Sequence, residues 1–303
     1  MTKIITICGP TGIGKTGFAI TLARELNGEI IGADSMQIYK YMDVGTAKPD
    51  ENERELAIHH LVDFLDPADN FDAKQFTIHA DQAISDIAKR GRVPVVAGGT
   101  GLYIRALLHG LFRGKPACPE TLDELNQSLE EKGAPVLHQQ LMQCDLQAAE
   151  KIHPNDGFRI VRALEVFLTT GVPISQSQQI HDFKSDRYQS LTFGLQMDRT
   201  RLYDRINQRV DIMMDNGLLD EVKGLVSRGY SLDLKSMQSI GYRHMGMYLK
   251  GEVSLEEAVR LLKRDTRRYA KRQFTWFNKE KDLIWIDTQD TEKAIVAAKN
   301  FLA

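Results

Sequence analysis

Apolar residues along the chain fall into two patterns, short continuous runs and longer stretches with helical spacing. Continuous runs are typical of parallel strands buried on both faces, and they predict strands at residues 4–8, 29–33, 93–97, 191–197 and 283–287. A further strand is possible at residues 59–65. Apolar positions three and four apart predict helices at residues 18–26, 73–90 and 102–109. Strands that alternate with helices indicate a parallel sheet wrapped by helices.

The middle of the chain interrupts this alternation. Between residues 114 and 179 the spacing predicts only helices, at residues 121–131, 135–143, 146–152 and 157–170. After the strand at 191–197 the predicted helices are residues 199–215, 218–227, 237–250, 254–277 and 291–301. We therefore expect an α/β core formed by residues 1–112 and 188–303, with an all-helical insertion at residues 113–187.

Composition is that of an ordinary globular chain and limits its location. Of the 303 residues, 42% are hydrophobic and 26% are charged, which is typical of soluble proteins. No apolar run approaches the ~20 residues that cross a membrane. Residues 1–20 lead directly into the first strand, so we expect no targeting peptide. Cys8, Cys118 and Cys144 are widely spaced, which predicts a reducing cytoplasm and no zinc or disulfide framework.

The turn after the first strand carries the clearest motif. It matches the phosphate-binding pattern G-x-x-x-x-G-K-[ST] through Gly9, Pro10, Thr11, Gly12, Ile13, Gly14, Lys15 and Thr16. Glycines let backbone N–H groups converge on an anion at the start of a helix. The Lys15 ammonium adds a positive charge, and the Thr16 hydroxyl can ligate Mg²⁺. The motif predicts a P-loop NTPase-like sheet that binds a di- or triphosphate.

Two more strand ends are predicted to face the same crevice. Asp34 follows the strand at residues 29–33, and the turn Gly98-Gly99-Thr100-Gly101 follows the strand at residues 93–97. Ligands of doubly wound sheets bind outside the carboxyl ends of the strands. Asp34 is therefore either a functional carboxylate beside Lys15 or a cap of the next segment.

Positive charge is concentrated in the last third of the chain, although the net charge is only −2. Nine lysine or arginine residues between positions 260 and 281 stand against two acidic ones. Helical spacing gives two basic faces, one with Arg260, Arg264, Arg267 and Lys271 and one with Arg201, Arg205 and Arg209. Aromatic residues follow the first face, a pattern typical of nucleic-acid surfaces. A solvated charged face is the other interpretation.

Nine blocks along the chain together resemble one family. They are residues 9–16, 34–39, 42–49, 59–63, 98–103, 153–156, 162–166, 240–243 and 271–276. In this order and composition they resemble the tRNA dimethylallyltransferases, also called tRNA isopentenyltransferases, over nearly the whole chain. The resemblance implies transfer of a dimethylallyl group from dimethylallyl diphosphate to N6 of the adenosine 3′-adjacent to the anticodon of tRNA, with Mg²⁺. It also implies a cytoplasmic monomer whose helical insertion grips the anticodon stem-loop.

The resemblance assigns roles to particular residues. The loop from Thr11 to Thr16 would hold the diphosphate, Asp34 would be the general base, Thr100 would lie at the reaction channel and Arg209 would reach the diphosphate. The implied tRNA contacts are Asp34, Ser35, Met36 and Gln37; Phe158, Arg159, Ile160, Val161 and Arg162; Gln238, Ser239, Ile240, Gly241, Tyr242 and Arg243; and Lys271, Arg272, Gln273, Phe274, Thr275, Trp276, Phe277 and Asn278. Elementary chemistry agrees, because a departing diphosphate needs positive charge and an attacking amine needs a proton acceptor.

Two positions depart from the family pattern, and two other functions fit part of the sequence. Phe158 stands where the family usually has Gln, so stacking on the flipped adenine would replace a hydrogen bond, and Tyr41 replaces a common Gly. A small-molecule P-loop kinase explains the phosphate loop and Asp34 but not the insertion or the basic helices. A non-catalytic, nucleotide-gated RNA-binding protein explains the basic helices and predicts that Asp34 is dispensable.

Overall fold

The structure is a computed structural model that describes residues 1–111, 118–176 and 186–303. It contains two compact units, one formed by Met1–Leu108 together with Asp186–Ala303 and the other by His109–Ser185. The predicted start of the insertion at residue 113 lies outside the described residues. Within the described ranges, every helix is too short or too polar to span a membrane.

The first unit is built on a six-stranded sheet. Its strands are β1 (Lys3–Cys8), β2 (Gly28–Gly32), β3 (His59–His60), β4 (Val93–Gly98), β5 (Gln189–Gln196) and β6 (Leu283–Asp287). They lie in the order β3-β2-β4-β1-β5-β6, and all neighbours are parallel. Parallel neighbours require crossover connections, so helices cover the sheet. The predicted α/β fold with a P-loop NTPase-like parallel sheet is confirmed.

The helices follow the chain from the phosphate loop to the carboxyl terminus. In chain order they are α1 (Lys15–Glu25), α2 (Glu51–Leu56), α3 (Ala73–Lys89), α4 (Gly101–His109), α5 (Pro119–Lys132), α6 (Ala134–Cys144), α7 (Leu146–Lys151), α8 (Gly157–Thr170), α9 (Arg199–Asp215), α10 (Leu218–Ser227), α11 (Tyr242–Leu249), α12 (Leu255–Phe277) and α13 (Thr291–Leu302). One buried cluster joins β1 to α1 and α9 through Ile7, Leu22 and Ile206. This packing holds the loop between β1 and α1 against the sheet.

The second unit has its own core and, in the residues described, only helices. Helices α5 to α8 bury an apolar cluster that includes Leu137, Leu141 and Ile160. Helix α8 begins where Asp156 accepts a hydrogen bond from the Arg159 N–H, and it ends at Gly171, whose φ of 71° no longer fits a helix. Side-chain capping at one end and glycine at the other fix its length.

Two predicted elements are shorter than the sequence pattern suggested. The helix expected at residues 237–250 begins only at Tyr242, because Gly241 before it has a φ of 99°. The possible strand at residues 59–65 is limited to His59–His60. Leu61 and Asp63 have φ values of 59° and 61°, in the left-handed region, which ends the extended conformation.

Candidate active site

The phosphate loop joins the end of β1 to the start of α1 and depends on glycine at defined positions. Gly12 and Gly14 have φ values of 81° and 101°, a conformation that other residues rarely adopt. A Cβ atom on Gly12 would also lie 2.8 Å from Cγ1 of Ile206. The loop backbone therefore lies close to α9 while it curls towards the amino end of α1. This geometry concentrates N–H groups and the positive end of the helix dipole.

Lys15 is the first residue of α1, and its side chain folds back over the loop. Its Nζ donates to the carbonyl oxygen of Pro10 at 2.9 Å. Burial lowers the pKa of Lys15 to about 8, against an opposing effect of the Asp34 carboxylate, and the charge of Arg209 lowers it further. An ammonium with a single carbonyl partner is electrostatically under-compensated. It is therefore suited to bind an anion.

Asp34 and Thr100 lie at adjacent strand ends, as their positions predicted. Asp34 follows β2, and its Oδ1 accepts hydrogen bonds from the N–H groups of Met36 at 2.8 Å and Gln37 at 3.3 Å. The Thr100 Oγ1 accepts from the Ser35 N–H at 3.0 Å. These strand ends approach so closely that a Cβ atom on Gly98 would lie 2.0 Å from the Ala33 oxygen. The contacts fix the Asp34 turn against the glycine-rich turn after β4.

Arg209 reaches the loop from α9. Its Nη1 lies 3.5 Å from the Thr11 Oγ1, and its Nη2 lies 3.4 Å from the carbonyl oxygen of Thr46. Burial lowers the pKa of Arg209, the Asp34 carboxylate opposes this, and Arg205 lowers the pKa further. A guanidinium does not lose its proton in proteins. Arg209 therefore stays a charged, half-buried guanidinium beside the loop.

A narrow cavity of about 120 Å³ lies between the phosphate loop, Asp34 and Arg209, and the residues that line it do not include Thr100. Its polar lining includes Thr11, Lys15, Thr16, Asp34, Gln37 and Arg209. Its apolar or small lining includes Ala19, Ile30, Gly32, Val62, Ala97 and Gly98. Two cations, a carboxylate and a small apolar wall thus surround one space. We call it the channel.

A wider cleft of about 1520 Å³ shares part of its wall with the channel. Gly12, Gly14, Thr16 and Arg209 line both spaces. Arg201 and Arg205 line the cleft, so the basic face predicted for α9 follows one side of it. The opposite side of the cleft carries acidic residues, among them Asp50, Glu51 and Glu53, so its positive charge is concentrated on the side formed by α9, next to the phosphate loop.

Gln273 on α12 was implied as a tRNA contact by the family resemblance, and its contacts inside the protein were not predicted from the sequence. Its Oε1 accepts from the Thr11 N–H and its Nε2 donates to the Gly99 oxygen, both at 2.8 Å. The side chain is 6% exposed and joins the phosphate loop to the glycine-rich turn after β4. Its helical spacing from the apolar Ala270 and Phe277 is the signal that places it on the buried face of α12.

The residues predicted to contact tRNA divide by exposure. Phe158, Arg159, Gln238, Arg243, Lys271, Arg272, Thr275 and Asn278 are exposed, and Phe158 reaches 81%. Asp34, Ser35, Met36, Gln37, Arg162, Ser239, Ile240, Phe274 and Trp276 are half-buried. Ile160, Val161, Gly241, Tyr242, Gln273 and Phe277 are buried. All of these contacts stay predictions, and the exposed and half-buried groups are the ones whose side chains offer surface to a macromolecule.

The basic face predicted on α12 is partly neutralised inside the protein. Arg260 pairs with Glu257 at 2.6 Å, and Arg264 pairs with Asp265 at 2.8 Å. Lys271 and Arg272, in contrast, form no ion pair with any residue in the described ranges. The unpaired charge therefore lies near the end of α12 that carries Gln273.

The half-buried Trp276 fixes the neighbouring turn. Its indole packs on Gly101, where a Cβ atom would lie 2.3 Å from Cδ1 of the ring. The guanidinium carbon of Arg105 lies 4.6 Å from the centre of the same ring. Both Gln273 and Trp276 thus hold the turn that contains Thr100.

The phosphate loop, the Asp34 carboxylate and the half-buried Arg209 lie together at the carboxyl ends of a parallel sheet. They define a P-loop NTPase-like α/β protein with a candidate anion site. A family model described as IPP transferase matches residues 37–280, and one described as isopentenyl transferase matches residues 2–63. The chain belongs to the IPP transferase family.

Individual members of this family are similar to the chain over nearly their full length. A tRNA dimethylallyltransferase of Desulfosudis oleivorans is 51% identical over 99% of this chain and 96% of its own length. One of Acetivibrio thermocellus is 48% identical over 100% of this chain and 98% of its own length. The sequence resemblance to the tRNA dimethylallyltransferases is therefore confirmed.

Solved structures of tRNA-modifying transferases are also similar to this chain. A tRNA isopentenylpyrophosphate transferase from Bacillus halodurans is 42% identical, with a TM-score of 0.73 over 100% of this chain and 96% of that one. A eukaryotic dimethylallyltransferase described as acting on tRNA is 29% identical, with a TM-score of 0.84 over 100% of this chain and 80% of that one.

Proposed function

We propose that this protein transfers the dimethylallyl group of dimethylallyl diphosphate to N6 of the adenosine 3′-adjacent to the anticodon of tRNA. The observation that carries the proposal is the channel, where Lys15, Arg209 and Asp34 share one small cavity with an apolar wall. The cations suit the diphosphate, the apolar wall suits a five-carbon chain, and the carboxylate suits an amine proton. Relatives named tRNA dimethylallyltransferase support the choice of substrates.

The first part of the reaction is the departure of diphosphate. The C–O bond of the allylic carbon breaks, and its electron pair leaves with the diphosphate oxygen. The loop N–H groups, Lys15 and Arg209 stabilise that negative charge in a water-poor site, where such stabilisation is most effective. Lys15 is well placed because its Nζ lies on the loop itself, 2.9 Å from the Pro10 oxygen.

The second part is the formation of the C–N bond. The lone pair of the adenine N6 attacks the same carbon, and the N–H proton becomes acidic as the bond forms. Asp34 accepts this proton. The Met36 and Gln37 N–H groups bind Oδ1 of Asp34, and no described residue donates to Oδ2, which is therefore the oxygen that takes the proton.

A magnesium ion fits the residues at the loop. No group of three or more His, Cys, Asp or Glu side chains in the described part of the chain could hold a metal. Mg²⁺ typically needs few protein ligands because phosphate oxygens and waters complete its shell. Thr16 lines the channel and the cleft, so its hydroxyl would hold the ion beside the diphosphate. When bound, Mg²⁺ would neutralise charge on the leaving group.

The tRNA contacts are assigned to the exposed members of the predicted stretches. Phe158 and Arg159 at the start of α8 offer a stacking ring and a phosphate ligand, and Lys271 and Arg272 offer unpaired charge. Extrusion of the target base costs a few kcal/mol, which stacking on an aromatic ring offsets by roughly 1–3 kcal/mol per base. The monomeric state and the cytoplasmic location stay predictions.

The proposal is tested by incubation with labelled dimethylallyl diphosphate, Mg²⁺ and unmodified tRNA, followed by nucleoside analysis. We expect label in N6-isopentenyladenosine at the position 3′ of the anticodon. The kinase alternative predicts instead that labelled γ-phosphate moves from ATP to a small alcohol, with no label from dimethylallyl diphosphate. That second result would contradict the proposal.

Asp34→Asn tests the role of the carboxylate. The amide oxygen can still accept from the Met36 and Gln37 N–H groups, so the turn is preserved while the proton acceptor is lost. We expect turnover to fall about 10²–10⁴-fold with tRNA affinity unchanged. Asp86→Asn, at a side chain that is 43% exposed on α3, is the matched control. An equal loss in tRNA binding, or full turnover by Asp34→Asn, would contradict the general-base role. A wild type that binds tRNA but transfers no label would favour the non-catalytic RNA-binding protein.

A further inference from the structure

A carboxylate outside the predicted site receives four hydrogen bonds. Glu221 lies in the first turn of α10. Its Oε2 accepts from the N–H groups of Asp43 at 2.8 Å and Val44 at 2.7 Å. Its Oε1 accepts from the Gly45 N–H at 3.1 Å and the Tyr242 hydroxyl at 2.6 Å. An ionised carboxylate has about four acceptor positions, and all of them are used here.

The loop that Glu221 binds lies against the channel on its other side. The Thr46 oxygen accepts from Nη2 of Arg209 at 3.4 Å and from Nε2 of Gln37 at 3.2 Å. The Ala47 oxygen accepts from the same Gln37 nitrogen at 2.9 Å. Residues 43–45 thus present N–H groups to Glu221, and residues 46–47 present carbonyl groups to the channel. We call residues 43–47 the bridging loop.

Tyr242 holds the bridging loop from a second direction. A Cβ atom on Gly45 would lie 2.5 Å from Cε2 of the Tyr242 ring, so the ring packs directly on the loop backbone. Burial and the Glu221 carboxylate raise the pKa of Tyr242, which keeps its hydroxyl a donor. Since Tyr242 is completely buried, its contribution is to order the loop and not to contact a ligand.

We infer that Glu221 is a positioning residue for Arg209, acting through the bridging loop. Arg209 is a half-buried cation, and among the hydrogen bonds of the described residues its contacts to the protein are only the Thr11 hydroxyl and the Thr46 oxygen. The direction of the guanidinium therefore depends on where the Thr46 oxygen lies. Glu221 fixes that oxygen by neutralising three consecutive N–H groups of the same loop. The inference deepens the proposed function and rests on it, because it needs a diphosphate at the site.

The side chain must be a carboxylate for this purpose. In Glu221→Gln the amide oxygen can accept from two of the four donors, and the amide nitrogen would face the other two. If that nitrogen takes the place of Oε1, the Tyr242 hydroxyl can turn and accept, but the Gly45 N–H is left facing a second donor. A buried donor without an acceptor is costly, so the bridging loop would shift or become mobile. Asp220, which is in the same turn, is 80% exposed and pairs only with Lys223 in the described structure. Asp220→Asn is therefore a matched control.

The experiment measures the affinity for inorganic diphosphate by calorimetry in Glu221→Gln, Arg209→Gln and the double variant. We expect Glu221→Gln to weaken binding on the order of fivefold and Arg209→Gln on the order of twentyfold, as for a lost charged hydrogen bond. If Glu221 acts through Arg209, the double variant binds within about twofold of Arg209→Gln alone. Asp220→Asn should bind as the wild type does.

Kinetics give a second readout that a purely structural role would not move. The KM for dimethylallyl diphosphate should rise more than kcat falls, because Arg209 would already contact the bound substrate before reaction. The KM for tRNA should stay within about twofold. Tyr242→Phe, which removes one donor and keeps the ring, should show the same pattern at about half the effect. If Glu221→Gln fails to fold, Tyr242→Phe still tests whether the contacts of the bridging loop affect diphosphate binding.

The outcomes separate this inference from the proposed function. If the wild type fails to bind diphosphate, the proposed function fails and the inference fails with it. If the wild type binds and the losses of Glu221→Gln and Arg209→Gln simply multiply, the inference alone is overturned. Unchanged diphosphate affinity in both Glu221→Gln and Tyr242→Phe would overturn it as well.

Discussion

Glu29 at the amino end of β2 and Lys15 near the carboxyl ends of the strands are charged groups with different surroundings, the first buried and the second half-buried. The Glu29 side chain is 1% exposed, and its oxygens meet His60 and Arg90 at 2.6 Å and Arg92 at 3.2 Å. Among the described residues, the hydrogen-bond partner of Lys15 Nζ is the Pro10 oxygen. Burial alone would raise the pKa of Glu29, but the hydrogen bonds from His60 and Arg90 outweigh it and lower that pKa below 4.5. Burial lowers the pKa of Lys15, to about 8.

This difference indicates that the charged groups at the amino end of β2 stabilise the fold, whereas those at the carboxyl ends of the strands bind a ligand. At Glu29 the compensating charges belong to the protein, so the carboxylate ties β2, β3 and the segment before β4 together whether or not a ligand is bound. Lys15 and Arg209 form no ion pair with a described acid, and the Asp34 carboxylate offsets the effect of burial on their pKa values only in part, so further compensating charge is left to a ligand. Strongly perturbed titrating groups in a cleft are typical of functional sites.

The largest effect on this comparison should come from Glu29→Gln. The change removes the negative charge and leaves two guanidinium groups beside a neutral amide. We expect the free energy of unfolding to fall by roughly 2–3 kcal/mol, less than the ~3–5 kcal/mol for a fully buried pair. The loss is limited because Arg90 and Arg92 are 48% and 40% exposed and can turn to water. Urea unfolding measures it.

The pH dependence of that stability has a defined sign. Since the folded pKa of Glu29 lies below 4.5, its contribution is complete above about pH 4.5 and is lost as the pH falls through the folded value. The difference between wild type and Glu29→Gln should therefore shrink in acid. Glu25→Gln, at a 50% exposed side chain paired with Lys299, is the control, with a change below about 0.5 kcal/mol. If a folded Glu29→Gln variant binds diphosphate more weakly than the wild type, Glu29 is not purely structural and the assignment of separate roles to the two ends of the sheet is wrong.

Lys15→Met should have the opposite profile. It removes a half-buried cation that forms no ion pair with a described residue and whose charge the Asp34 carboxylate offsets only in part, so the free energy of unfolding should stay close to that of the wild type. Diphosphate affinity should fall by about 1.5–2 kcal/mol, or ten- to thirtyfold, because a hydrogen bond to a charged group is lost. Lys74→Met, at an exposed position of α3, controls for the loss of charge. Calorimetry and urea unfolding on the same samples give both numbers. A destabilised Lys15→Met would mean that Lys15, like Glu29, is structural.

The ligand end could be predicted from the sequence because its signals are local. The phosphate loop is encoded in eight consecutive residues, and Asp34 and Thr100 follow apolar runs that mark strand ends. The helix expected to start at residue 237 starts at Tyr242 because Gly241 adopts a positive φ, which residue spacing does not report. The sequence predicted that the sheet is parallel, but it did not predict the order of the strands.

The supporting contacts could not be predicted because they join distant parts of the chain. Glu221 and the Asp43 N–H are 178 positions apart, and Gln273 and the Thr11 N–H are 262 apart. In the sequence, Glu221 is one acid among 41, and Gln273 lies in a basic helix that suggested a surface role. Their importance arises only when α10 and α12 pack on the sheet. Local chemistry thus identifies the ligand groups, and tertiary packing determines what holds them.

The smallest expected effect is the pH dependence of diphosphate affinity, and it tests the role of the Lys15 charge most directly. With a pKa of about 8, Lys15 is charged at pH 7 and mostly neutral above pH 8, whereas bound diphosphate would keep it protonated. Binding should therefore take up a proton above pH 8, and affinity at pH 8.5 should be about fourfold weaker than at pH 7, since each pKa unit corresponds to 1.36 kcal/mol. The ligand has its own titration, so the quantity to compare is the difference between wild type and Lys15→Met. Calorimetry in two buffers of different ionisation enthalpy reports the proton uptake. If wild type and Lys15→Met have the same pH profile, Lys15 does not carry the unpaired charge, and the contrast with Glu29 would rest on Arg209 alone.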